Sequence, residues 1–139
     1  MRRYLVVANQ TLCGERLLAE IHRRAAAGPC QFHVVVPATH ARDHMVWTEG
    51  HDRVIAHGRL TEALERFRAD GVVVDGEVGD ASPIAAIGDV IRREPPFDEL
   101  ILSTLPPGMS RWIRQDLPHR IERVFDLPIT LVVAEPAVV

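Results

Sequence analysis

Five apolar segments, rich in Val, Ile and Leu, recur along the chain and are separated by longer amphipathic stretches. Several of these segments are almost continuously apolar instead of alternating between apolar and polar residues. Because the strands of a parallel sheet are covered on both faces, continuous apolar runs are typical of them. We therefore predict five strands, at residues 4–8, 32–36, 72–78, 99–103 and 129–133.

The stretches between the predicted strands repeat their apolar residues every three or four positions, which is typical of amphipathic helices. Gly28 and Gly71 follow the first two helices as stop signals. Ser82 and Asp116 precede the other two as N-caps. The residues predicted to face inward are Leu17, Leu18, Ile21 and Ala25 in the first helix, Leu60, Leu64 and Phe67 in the second, Ile84, Ile87 and Ile91 in the third, and Leu117, Ile121, Val124 and Phe125 in the fourth.

Strands and helices thus alternate strictly, and this order predicts an α/β fold. We expect one domain over residues 1–139, a doubly wound five-stranded parallel sheet with helices on both faces. In such sheets ligands bind beyond the carboxyl ends of the strands, where the strand order reverses. The loops that follow the strands are therefore the segments in which to look for a site.

Composition and charge narrow the classes of function. Apolar residues make up 47% of the 139 residues and charged residues 25%, which is ordinary for a globular protein. The net charge of −3 gives no basic face for nucleic acid or for an acidic membrane surface. The sequence has no signal-peptide pattern and no apolar run long enough to cross a bilayer, so a cytoplasmic location is predicted.

The long loop after the second predicted strand holds three histidines, His40, His44 and His51. His40 and His44 could face one metal ion if this stretch were helical, but Pro37 opens it and a solvated surface segment is the favoured interpretation. No metal site is therefore predicted. A loop of this length often covers a site, in which case Trp47 would be a lid anchor; surface packing is the alternative.

The remaining candidates for chemistry are isolated side chains. Cys13 precedes a predicted helix, whose dipole can lower a thiol pKa, so Cys13 is either reactive or, as we favour, a small buried residue. Asp80 is interpreted as a turn and cap carboxylate, and His119 as an ordinary helical residue. The loop with Asn9, Gln10 and Thr11 lacks the Gly-x-Gly-x-x-Gly dinucleotide pattern and offers only polar hydrogen-bonding groups. No catalytic residue is predicted.

The order of elements and the C-terminal third resemble the universal stress protein family. Members end in a strand, a Gly-Thr/Ser-x-Gly turn, a Gly-Ser before a helix, and a Pro-Val before the last strand. In this chain "ELILST", "GMSRW" and "RIERVFDLPITLVV" follow that outline. The resemblance covers essentially the whole chain and implies a fold like that of the universal stress proteins and the adenine nucleotide α-hydrolases.

ATP-binding members of that family carry the motif Gly-x2-Gly-x9-Gly-Ser/Thr, from which this chain departs. Ser103 occupies the first glycine position and Pro106 the second, and the third falls on Gln115 or Asp116. Glycines let backbone N–H groups approach phosphate oxygens closely, whereas proline has no N–H to donate. Asn9 or a neighbour replaces the acidic residue that follows the first strand. The resemblance thus implies a divergent member without the usual ATP cofactor.

Three hypotheses of function follow. The first is a non-enzymatic, stress-adaptive regulatory protein, for which the family implies a homodimer through the last strand, Ile129–Val133. The second is a protein that binds a nucleotide or another phosphate ligand with the loops after strands 1, 2 and 4. The third is a hydrolase or nucleotidyl-transfer enzyme of a related fold. The ligand-binding residues of the second hypothesis are Asn9, Gln10, Thr11, Val36, Ala38, Ser103, Thr104, Gly108, Ser110 and Arg111.

The first two hypotheses predict different cavities between the first and fourth strands. Room for a nucleoside, with unpaired amides near Gly108, would favour ligand binding. A pocket plugged by Leu105 and Pro106 would favour a protein that has lost its ligand.

Overall fold

The computed structural model describes residues 1–39 and 49–135 of the chain. Within these ranges strands and helices alternate as the apolar pattern predicts, with one additional short helix before the last one. The elements are β1 (Arg2–Val7), α1 (Glu15–Ala27), β2 (Cys30–Pro37), α2 (Glu49–Ala69), β3 (Val74–Gly79), α3 (Pro83–Arg93), β4 (Glu99–Thr104), α4 (Arg111–Arg114), α5 (Leu117–Phe125) and β5 (Ile129–Val133).

The five strands form one parallel sheet in the order β3-β2-β1-β4-β5. Val6 of the central strand β1 pairs with Val34 on one side and with Ile101 on the other. The chain runs outward from β1 to β2 and β3, and then crosses to β4 and β5 on the opposite side. This confirms the predicted doubly wound fold and places the reversal of strand order between β1 and β4.

Both faces of the sheet are covered by helices, which explains why the strands are apolar on both sides. On one face α1 and α2 pack through residues such as Ile21 and Leu60 against Val6 and Val34. On the other face α3 and α5 pack against a separate group of buried residues that includes Leu5, Val7, Ile87 and Ile121. Tyr4 to Val7 of the central strand are therefore buried, whereas Arg2 and Arg3 at its start are not fully covered.

Several predicted details differ from the structure. Val124 is exposed although it lies within about 60° of both Leu117 and Ile121 around the axis of α5; it belongs to the last turn of the helix, which ends at Phe125. Ala25 of α1 is exposed as well. The third strand begins at Val74 instead of Val72, although the side chain of Val72 is buried.

The predicted caps are confirmed at Ser82 but not at Asp116. The Ser82 hydroxyl accepts a hydrogen bond from the amide of Ala85, and Asp80 accepts one from the amide of Ser82, as a turn and cap carboxylate should. Asp116 occupies the N-cap position of α5 but adopts a left-handed conformation (φ 56°) and makes no capping hydrogen bond. Its carboxylate instead contacts Nδ1 of His119 at 2.7 Å.

Predictions about the loop after β2 can be followed only in part. His40, His44 and Trp47 lie outside the described residues, whereas His51 is an exposed residue of α2. In the part of the chain that the structure describes, no group of three or more His, Cys, Asp or Glu side chains is arranged to hold a metal ion. A search of the described helices for one with the length and apolar character of a membrane span finds none.

Candidate functional site

A cavity of about 340 Å³ lies at the carboxyl edge of the sheet, where β1 and β4 diverge. Its floor consists of residues that follow β1 and residues that end β4. Helix α2 forms one wall, and the N-terminus of α3 together with α4 and α5 forms the opposite wall. The volume is within the range of about 300–1,000 Å³ typical of small-molecule sites, and the position is the one where doubly wound sheets bind ligands.

The floor of the cavity is held together by hydrogen bonds between polar side chains. The hydroxyls of Thr11 and Ser103 lie 2.6 Å apart and join the loop after β1 to the end of β4. The side-chain amide of Asn9 donates to the carbonyl of Pro37 at 2.7 Å and to the hydroxyl of Thr39 at 3.1 Å. These contacts fix the floor and use most of its acceptor groups internally.

Thr104 is the exception on this floor. Its side chain is 2% exposed, it lines the cavity, and its hydroxyl oxygen has no hydrogen-bond partner. Buried hydroxyls are nearly always paired, because an unpaired one loses its hydrogen bonds to water without replacement. The cavity therefore presents a donor and acceptor group that the protein itself does not satisfy.

The wall formed by α2 contributes three residues on one side of the helix, Asp52, Ile55 and Arg59. A guanidinium N–H of Arg59 donates to the amide oxygen of Asn9, which ties this wall to the floor. Sequence reasoning missed all three as site residues. Their spacing of three and four positions was a usable signal, because it places them on one stripe beside the buried stripe of Ala56 and Leu60.

The opposite wall is largely apolar, and arginines stand at its rim. Leu117 is buried and Trp112 is half-buried in this wall. Arg111 and Arg120 line the cavity but are otherwise exposed. Further apolar contributions come from Pro83, Ile84, Leu105 and Met109.

Seven of the ten residues predicted to bind a ligand line this cavity, and the other three do not. Val36 is fully buried in the core between the sheet and α2, and Ala38 is buried with its amide donating to the carbonyl of Gly79. Gly108 lies in the exposed turn after β4 with a positive φ of 91°. The residues that the structure does bring together are Asn9, Gln10, Thr11, Ser103, Thr104, Ser110 and Arg111.

The turn after β4 has little of the backbone chemistry of a phosphate cradle. The amides of Met109 and Ser110 both donate to the carbonyl of Pro106, at 3.0 and 3.1 Å. The Ser110 hydroxyl accepts from the amide of Ile113 at 3.1 Å and caps the short helix α4. Pro106 and Pro107 have no N–H at all. The amides of Met109 and Ser110 and the hydroxyl of Ser110 are therefore used within the turn itself.

The same turn does not plug the cavity. Leu105 lines the wall, but the space between β1 and β4 remains open to about 340 Å³. The physical reason is the turn itself, which the two Pro106 hydrogen bonds close tightly into α4. The structure therefore has the open cavity and not the one plugged by Leu105 and Pro106.

Cys13 lies outside the lining of this cavity. Its thiol is half-buried, with Sγ 3.9 Å from the carbonyl oxygen of Arg59. Burial, assisted by the nearby Glu62 carboxylate, raises the pKa of the Cys13 thiol. The shift is opposite to the one that an activated thiolate requires, which supports the prediction of a small packing residue.

No family model matches this sequence, and no curated protein is significantly similar to it. The fold and the site alone define the class: a doubly wound α/β protein with a ligand-sized cavity at its topological switch point. Any closer assignment depends on the chemistry of that cavity.

Proposed function

We propose that this protein is a regulatory, universal stress protein-like domain that binds a small molecule in the cavity between β1 and β4, and that it does not hold ATP through the usual glycine turn. One observation carries the proposal: the buried, unpartnered hydroxyl of Thr104 lines a cavity of about 340 Å³ at the switch point. A cavity that had lost its ligand would be filled by apolar groups at the position of Thr104. An unpaired buried hydroxyl at that position is instead explained by a hydrogen bond to a ligand atom.

The charge of the lining supports a ligand with an anionic group. Three arginines but only one carboxylate, Asp52, line the cavity among the described residues. Guanidinium groups bind carboxylates and phosphates through paired N–H donors, and they are more effective where the surroundings exclude water.

The chemistry of the lining supports a binding role over an enzymatic one. Neither His nor Cys occurs among the described residues that line the cavity. Of the hydroxyls there, Ser103 is paired with Thr11 and Ser110 caps α4. A nucleophile beside a general base, the usual signature of covalent catalysis, is not part of this arrangement.

A homodimer through β5 belongs to the same proposal. This strand lies at the edge of the sheet, and Leu131 in its middle is 43% exposed. Edge strands with exposed apolar residues pair readily with another strand unless they are covered. A second copy of the chain would cover this edge and bring two cavities into one regulatory unit in the cytoplasm.

Ligand binding can be tested by filling the cavity. Ala81 lines the cavity but is exposed to solvent, so Ala81→Trp should block the site without disturbing the core. Ala85 is also exposed, one turn further along the same surface, and Ala85→Trp is the matched control. Calorimetry and thermal shift with ATP, ADP, AMP, inorganic phosphate and small organic carboxylates should detect binding to the wild type and to Ala85→Trp only. If no compound of the panel binds to the wild type, or if Ala81→Trp binds a compound as tightly as the wild type does, the proposal is contradicted.

A further inference from the structure

The two halves of the cavity differ in polarity. The polar half is the floor with Thr104 and the α2 wall with Arg59. The other half is the wall built by α3, α4 and α5, which combines the apolar side chains of Ile84, Trp112 and Leu117 with Arg111 and Arg120. Because these halves are carried by helices on opposite faces of the sheet, they face each other across its carboxyl edge.

The polar half retains free donors on Arg59 and Thr104. The oxygen of Asn9 accepts from Arg59, and the hydroxyls of Thr11 and Ser103 bond to each other. A guanidinium has five N–H donors, four more than the contact of Arg59 with Asn9 uses. Together with the unpartnered hydroxyl of Thr104, this arrangement suits a ligand group that only accepts hydrogen bonds.

The position of Asp52, the one carboxylate among the described residues of the lining, agrees with a ligand group that accepts hydrogen bonds from Arg59. Asp52 lies seven residues before Arg59 on α2, which separates the two by about 10 Å along the helix axis. The side chains of Asp52 and Arg59 therefore lie at different ends of the α2 wall. An anionic group is favoured near Arg59 and disfavoured near Asp52.

A nucleotide fits these groups less well than a carboxylate does. A phosphate group is usually held by several backbone amides, and those of Met109 and Ser110 already donate to Pro106. A carboxylate presents two oxygens in one plane, which match the fork of a guanidinium.

We propose that the ligand is a small amphipathic organic anion, in which a carboxylate contacts Arg59 and Thr104 and an aromatic or aliphatic body packs on the wall of Ile84, Trp112 and Leu117. This inference rests on the proposed function, since it names the class of molecule that the same cavity takes. The apolar body supplies burial of nonpolar surface, and the arginine supplies the discrimination between a charged and a neutral head group.

The test uses three organic carboxylates, 4-phenylbutyrate, indole-3-acetate and octanoate, each beside its neutral amide, together with AMP and inorganic phosphate. Trp47→Phe leaves Trp112 as the one remaining tryptophan of the sequence, so its fluorescence reports on the cavity wall. We expect at least one carboxylate to bind and to change the Trp112 emission. Its amide should bind at least about tenfold more weakly, the ratio expected when one charge-assisted contact is lost.

Two variants separate the role of Arg59 from general stability. Arg59→Gln should weaken carboxylate binding about tenfold and leave amide binding unchanged, which abolishes the discrimination between them. Arg68→Gln is the control, because Arg68 lies on the same helix but bonds to Val74 and Asp75 outside the cavity. Thr104→Val should weaken carboxylate binding independently of any effect on Arg59.

The outcomes distinguish this inference from the proposed function. Binding of AMP or phosphate without any carboxylate would overturn the inference and leave the proposed function standing. Equal affinity for a carboxylate and its amide, or unchanged discrimination in Arg59→Gln, would also overturn it. If no member of the panel binds, both fail.

Discussion

Thr104→Val removes a buried hydroxyl that has no hydrogen-bond partner and keeps the branched shape of the side chain. The residue is 2% exposed at the end of β4, and its hydroxyl has no hydrogen-bond partner within the protein. An unsatisfied buried polar group costs about 1–3 kcal/mol, and valine carries no such cost. We therefore expect the free energy of unfolding to rise by about 1 kcal/mol.

Thr11→Val makes the same chemical change at a hydroxyl that is paired, and is the matched control. The Thr11 hydroxyl lies 2.6 Å from that of Ser103, and both residues are buried. Removal of one partner leaves Ser103 unsatisfied and should lower the free energy of unfolding by about 1–2 kcal/mol. The same substitution thus acts with opposite sign at two positions of one cavity floor.

Urea unfolding followed by circular dichroism measures both effects, provided that the dependence of the free energy on urea is unchanged. A change of 1 kcal/mol corresponds to roughly 4 °C in the thermal midpoint of a domain of this size. Thr104→Val should at the same time weaken the binding of an organic carboxylate about tenfold. If Thr104→Val lowers stability as much as Thr11→Val does, the hydroxyl has a structural partner and the reasoning is refuted.

Three further predictions concern other parts of the molecule. Burial raises the pKa of Glu99, but hydrogen bonds from Arg24 and Thr130 lower it more, so the pKa of Glu99 lies below its usual value. Glu99→Gln should therefore lower the free energy of unfolding by about 2 kcal/mol at pH 7. In acid titrations of stability, the difference between wild type and variant should shrink as the pH falls through the depressed pKa of Glu99. Leu131→Arg should convert the proposed dimer to a monomer in sedimentation experiments, and a dimer that persists in this variant would argue against pairing through β5. Cys13 should react with a disulfide reagent more slowly at pH 7 than a free thiol, since burial raises its pKa.

The fold could be predicted because its main signal is local. A strand such as β1, with Tyr4 to Val7 all buried, reads as a continuous apolar run, and such runs indicate a parallel sheet without knowledge of what covers it. The burial of residues at the end of α5 could not be predicted in this way. Whether Val124 is buried depends on how far the helix extends over its neighbours, and the periodicity of the helix contains no information about that.

The residues of the candidate site also differ in whether a local signal in the sequence predicts them. Asn9, Thr11, Ser103 and Thr104 could be predicted, because they follow the ends of strands and the ends of parallel strands meet at one edge. Arg59 could not be predicted in the same way, because it lies in the middle of a long helix. Its place in the cavity depends on how α2 is seated on the sheet, which only packing against residues of the core determines.

The C-terminal turn shows how one cavity can keep its place in the fold while its chemistry changes. Pro106 and Pro107 have no N–H, and the amides of Met109 and Ser110 are bonded to Pro106, so these four residues offer no free backbone donor to a ligand. The side-chain donor Arg59 stands on the far wall from that turn. Backbone amides favour a phosphate surrounded on several sides, whereas a guanidinium on one wall favours a flat two-oxygen anion. Under the proposed function, a side-chain donor in place of backbone donors changes the class of ligand that the cavity takes, and does not by itself imply that the ligand has been lost.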